Sequence, residues 1–206
     1  KQNMFVLGLA EKIFTREYNR VRKAFDNMPH EIVDMNILKN LAHKFYNTRV
    51  EGGEGHLEVG KSIYYTINHL CHMVLSLKPF GCMPSTQSDG VQSVVTSVYK
   101  DMIFLPIETS GEGDVNAHSR VQMALGEAKA KAKLEYNDCL AKTGYSIEEI
   151  KAFVETRDDL QKPFFKVSHR HGIAGIGANF ILDVSEIMKA EGIKTTVKVD
   201  TVESTL

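Results

Sequence analysis

Three stretches of this sequence combine residue types at spacings that could do chemistry. The first is Lys78-Pro79-Phe80-Gly81-Cys82-Met83-Pro84. Two prolines and a glycine restrict the backbone around one thiol. The run follows Met73-Val74-Leu75-Ser76-Leu77, which reads as a buried strand. Ligands in open α/β sheets bind beyond the carboxyl ends of strands, so a cysteine here is placed to be a reactive or metal-bound thiolate. A buried structural cysteine in a tight turn fits the same residues. The second stretch, Glu108 to Asp114, follows another apolar run, Met102 to Ile107. Asp114 suits the cap of a following helix, with Asn116, His118 and Arg120 in its first two turns. The third stretch, Gly55 to Ser62, reads GHLEVGKS and matches the phosphate-loop pattern G-x-x-x-x-G-K-[ST], with Lys61 and Ser62 as the phosphate and metal residues. A true phosphate loop needs a buried strand before the first glycine, and residues 46–54 do not read as one. Leu57 and Val59 fit the opening of an amphipathic helix instead.

Metal-ligand spacing is otherwise sparse. His69 and His72 flank Cys71, and no Cys-x-x-Cys pair exists. His169 and His171 would share a side of an extended segment, as a two-histidine site or as a basic turn with Lys166 and Arg170. Gly172, Gly175 and Gly177 ahead of a helix read as a weak phosphate-loop signal or equally as a bend before the Asn179 helix.

Composition narrows the function classes. The chain has 206 residues, 43% of them hydrophobic, and its 25 basic and 26 acidic side chains give a net charge of −1. That balance argues against a nucleic-acid-binding protein. No run approaches 18 apolar residues, and the weak apolar stretch Met4–Ala10 meets Glu11 and Lys12 at once, so neither a membrane span nor a signal peptide is expected. Three cysteines make no disulfide framework, which points to reduced thiols and a cytoplasmic location. The first residue is Lys1, which suggests a piece of something longer.

Periodicity supplies the elements that must position these groups. Phe14, Tyr18, Val21 and Phe25 recur on one helical face, and Val33, Ile37, Leu41 and Phe45 on the next. A third helix is expected from about Leu57 to His69. Then come the Met73–Leu77 strand, a helix from Gly90 to Tyr99, the Met102–Ile107 strand and a long helix from Asp114 to about Cys139. Strands alternating with helices imply a parallel sheet. Ser146 and Glu149 form a capping box, Asn179 to Glu191 reads as a helix ended by Gly192, and Thr195–Val199 alternates like an edge strand. The expected fold is α/β: a small parallel sheet with flanking helices, Rossmann-like, with a helical N-terminal segment. The expected divisions are a helical segment packing on the core (1–50), an α/β domain carrying the Cys82 loop (51–145), and C-terminal helices with an edge strand (146–206).

The middle of the chain resembles a known family. The residues that carry the resemblance are Gly53-Glu54-Gly55 before a helix, Leu77 to Pro84 around Cys82, Gly90, the run Ile103 to Glu108, and Asn116 to Arg120. They are similar to the 2-hydroxyacyl-CoA dehydratase and activator-related superfamily, and within it to the C-terminal region of the long CoA-substrate-specific enzyme activases, over roughly Glu51 to Lys131. The resemblance implies an iron–sulfur protein that supports ATP-driven, low-potential electron transfer to 2-hydroxyacyl-CoA dehydratases. It implies Cys82 as a cluster ligand, with Gly81, Pro84, Glu108, Asn116 and Arg120 supporting the loops around it. An acidic pair usually follows the second strand in this family, where this chain has Glu108-Thr109. A [4Fe–4S] cluster takes four thiolates. The chain has three cysteines, two of them without ligand-like context, so an incomplete or absent cluster is expected in it alone. ATPase signatures are missing, so no catalysis is expected of the chain in isolation. The implied partners are an upstream ATPase part of the same protein or a dehydratase component, and a homodimer is a further expectation. The alternatives are a phosphate-loop nucleotide site at Lys61 and Ser62, or a structural or dimerisation module without a cofactor.

Overall fold

The computed structural model describes residues 2–25, 31–50, 53–109, 115–163 and 165–195. The chain is mostly helical around one small parallel sheet. Helix α1 spans Gln2–Ala24 and lies along no other described element. Helix α2 (Met35–Ala42) starts at Asp34, whose carboxylate accepts the Asn36 amide at 2.8 Å. It packs on α3 (Gly55–Ile67). Gly60 permits that approach: a Cβ there would stand 2.5 Å from the Leu38 carbonyl oxygen. His69, with φ of +50°, turns the chain out of α3, and the Leu70 amide closes back on the Tyr65 carbonyl at 2.9 Å.

Strand β1 (Val74–Pro79) pairs in parallel with β2 (Phe104–Thr109), in register from Val74 opposite Phe104 to Pro79 opposite Thr109. Helix α4 (Met83–Val98) crosses between them. It begins seven residues before the expected Gly90, because Pro84 sits in its first turn, where a proline costs no hydrogen bond. Strand β1 corrects the expectation of a buried apolar run. Leu75 and Leu77 face outward, while Lys78 is only 3% exposed. The inner side of β1 meets carboxylates from α3 and α4, and those need polar partners.

Helix α5 (Val115–Thr143) starts against β2 and runs on to pack with α7 (Ile176–Ala190). Between them α6 (Ile147–Glu155) opens on the expected capping box: the Glu149 amide donates to Ser146 Oγ at 3.2 Å, and the Ser146 amide donates to Glu149 Oε2 at 2.7 Å. Helix α7 starts at Ile176, three residues before Asn179. Gly192 follows it with φ of +78°. The expected edge strand at 195–199 falls outside the described residues from 196 onward.

Two hydrophobic cores result. One joins Ala42, Tyr46, Val59, Ile63, Val95 and Met102, from α2, α3, α4 and the approach to β2. The other joins Cys139, Tyr145, Ile150, Leu160, Ile181, Val184 and Met188 around the far end of α5. Fully buried Val59, Ile63 and Val95 each contribute about 1.5–3 kcal/mol to holding α3 and α4 beside the sheet. No helix among the described residues is long and apolar enough to cross a membrane.

Candidate functional site

The loop after β1 positions Cys82. Gly81 turns the chain with φ of +75°, a conformation that costs glycine little. Cys82 is then the N-cap of α4. Backbone bonds fix the turn: the Cys82 amide donates to the Pro79 carbonyl at 3.2 Å, and the Phe80 amide to the Thr109 carbonyl at the end of β2, also at 3.2 Å. The half-buried thiol faces the first turn of α4, where Ser85 Oγ donates to Sγ at 3.2 Å. That hydroxyl, then the Ser85 amide, holds the Cys82 thiol below its usual pKa. The positive charge of Lys78 helps, while desolvation and Glu58 oppose.

Two glycines ahead of α3 shape the other side of this loop. Gly53 has φ of +141°, and a Cβ on it would lie 2.1 Å from Cγ of Pro84. A Cβ on Gly55 would meet the Tyr46 hydroxyl at 2.7 Å and the Pro84 carbonyl oxygen at 3.0 Å. Tyr46 itself donates to Gln87 Oε1 at 2.8 Å. The Gly53-Glu54-Gly55 run is thus a backbone surface against which the start of α4 rests.

Beneath the loop lies a buried polar cluster that the sequence reading did not single out. Lys78 on β1 pairs with Asp89 on α4, and its Nζ is 3.9 Å from Glu58 on α3. The Glu58 carboxylate accepts hydroxyl bonds from Ser76, at 2.5 Å, and from Ser88. The Lys78 side chain is only 2% exposed, and burying an ammonium group is costly unless carboxylates such as these are placed beside it. The signal available in the sequence was period two: Ser76 and Lys78 alternate with Leu75 and Leu77, so one set must face inward.

The other expected loop residues gather beside this cluster. Glu108, in register with Lys78, lines a depression of about 300 Å³ with Asp89, Pro106 and Arg120. Arg120 Nη2 donates to the Pro106 carbonyl at 2.9 Å, tying the second turn of α5 to β2. Asn116 lies in the first turn of α5 and is exposed. Asp114 falls outside the described residues.

The phosphate-loop match takes a different form. Gly55 to Ser62 are the first two turns of α3, and the element before them among the described residues is helix α2. Ser62 is buried and its hydroxyl donates to the Val59 carbonyl at 2.9 Å, whereas Lys61 is exposed. The amides are bonded from Leu57 onward, so Gly60, Lys61 and Ser62 lie where the helix uses its own amides and not where a phosphate loop presents them free.

The histidines lie elsewhere. The His69 and His171 rings meet edge to face, 6.0 Å apart. Between His169 and His171, Arg170 binds Asp183 at 2.7 Å and Glu186 at 2.8 Å, which makes that turn a structural anchor for α7. A cavity of about 600 Å³ opens at the amino ends of the strands between α3, α4 and α5, and its lining includes His69, Cys71, His72 and Glu135. Burial pushes the Cys71 thiol up. The six-residue strand β1 keeps Cys71 and Cys82 about 20 Å apart. Cys139 is buried in the second core.

The donor set around Cys82 therefore offers one thiolate. Among the described residues no three histidine, cysteine or acidic side chains come together to hold a metal ion. A four-thiolate cluster does not fit this chain alone. No protein-family model matches the sequence, nor does any curated protein or solved structure.

Proposed function

We propose that this chain is a Rossmann-like module presenting Cys82 as one thiolate ligand at the edge of a shared iron–sulfur site, within a cytoplasmic protein that carries ATP-driven, low-potential electrons to 2-hydroxyacyl-CoA dehydratases. One observation carries the reading. Cys82 stands at the carboxyl end of a parallel strand, as the N-cap of a helix, with its sulfur accepting from Ser85. The resemblance stated above supports it: Gly53 lies against Pro84 in that loop, and Glu108 and Arg120 line the depression beside Asp89. The remaining ligands come from another part of a longer protein or from a partner chain. When bound, the cluster supplies the electron. This chain's residues hold the thiolate, fix the backbone around it and place buried charge beneath it.

The test is anaerobic iron–sulfide reconstitution of the chain and its Cys82→Ala variant, with a small thiol in excess to supply the missing ligands. Iron and acid-labile sulfide are expected at less than one cluster per chain in the parent and lost from the variant. Equal iron in both chains, including none in either, overturns the assignment.

A further inference from the structure

Parallel sheets are covered on both faces, because their crossover helices and their apolar side chains require it. Here α3 and α4 supply the carboxylates against one face of β1. Of the two strands, helix α5 packs chiefly on β2. The consequence shows in a pair of residues that share register and face. Ile107 on β2 is 6% exposed, while Leu77 opposite it on β1 is 65% exposed. Leu75 is exposed as well. Among the described residues, the Leu75 and Leu77 side of β1 is thus left as an open apolar slot.

The same chain carries an apolar helix along which no other described helix or strand packs, although Arg22 near its end pairs with Glu31 at 3.2 Å. Leu7, Phe14 and Val21 recur every seven residues on α1, with Met4 and Ile13 to either side of that stripe, and each of the five is more than half exposed. By ordinary side-chain areas these five residues show on the order of 600 Å² of apolar surface, and with the open leucines of β1 added a reciprocal exchange brings each copy near the roughly 800 Å² per partner that a stable interface buries. The 23 residues of α1 extend about 35 Å, enough to span the slot over β1.

We infer that α1 of a second copy of this chain fills the slot over β1, and that the exchange is reciprocal about a two-fold axis. A foreign partner on either surface would leave the other open. Reciprocal exchange covers both in both copies, as closed two-fold symmetry allows.

The experiment is sedimentation velocity on the parent chain, on Phe14→Asp, on Leu77→Asp, and on an equimolar mixture of the two variants with one carrying a mass tag. Both positions are well exposed, so each variant should fold, and circular dichroism with thermal melting checks this. The parent is expected at twice its chain mass of 23.1 kDa. Each variant alone should raise the dimer dissociation constant about tenfold or more. The mixture should form the tagged heterodimer in preference to either homodimer, because one contact in it joins an unaltered α1 to an unaltered slot. A monomeric parent overturns the inference, as does a Leu77→Asp dimer as tight as the parent, which is the result if α1 pairs with α1. A mixture without heterodimer also overturns it.

Discussion

The chemistry of Cys82 is set by a residue three positions later. A free cysteine in a turn keeps a thiol, but at the start of α4 the sulfur meets the Ser85 hydroxyl and amide, which favour the charged form. With its pKa lowered, the Cys82 thiolate persists to lower pH than an ordinary cysteine. Ser85→Ala removes the leading cause and should move the thiolate midpoint upward. Following iodoacetamide alkylation of Cys82 against pH, with Cys71→Ser and Cys139→Ala in the background, reads this directly. An unmoved midpoint would assign the shift to the helix amides and Lys78 instead. Lys78 illustrates the same rule from the other side. It follows an apolar run, yet it lies deeper than the leucines before it, because Glu58 and Asp89 partner its ammonium group.

At the scale of elements, the site depends on how closely the entry to α3 passes the entry to α4. Gly53 and Gly55 allow backbone to touch Pro84 and Tyr46 without a side chain between. Gly53→Ala therefore faces both a clash with the proline ring and an unfavourable φ, at a cost of about 1–3 kcal/mol. Urea denaturation should show a lower midpoint with unchanged slope, and Cys82 should alkylate at an altered rate because the turn beneath it has shifted. A stability equal to the parent's would mean that the Pro84 loop yields easily. Helix starts were the least accurate part of the sequence reading for a related reason. Periodicity sees the apolar face of α4 from Gly90 onward, whereas the first two turns, Met83 to Asp89, are a polar, capped entry whose residues serve the site.

Across the whole molecule, α5 joins the two cores. Glu135, midway along it, accepts the amides of Ala174 at 2.9 Å and Gly175 at 2.7 Å, and meets His72 at 3.2 Å. One carboxylate thus ties the entry of α7 to the segment just before β1. Glu135→Ala leaves two amides without their acceptor and should cost about 2 kcal/mol. Hydrogen exchange should quicken at residues 173–178 while α3 and β1 stay protected. Uniform protection in the variant would show that the cores hold together through the α5–α7 packing alone.

The sequence by itself determined the local features of this protein. The Ser146 capping box, the Gly192 stop, the strand–helix–strand order and the loop holding Cys82 all depend on residues within a few positions of one another, and local spacing encodes them. Only the tertiary structure decided which face of β1 is inside, that GHLEVGKS is helix, and that Glu58, Lys78 and Asp89 converge under Cys82. Those outcomes depend on what a distant segment places opposite each residue. A leucine gains roughly 1.5–3 kcal/mol from burial, while a buried carboxylate left unpaired loses more than that, so the pairing of charges across α3, β1 and α4 chose the face that apolar content alone had assigned the other way.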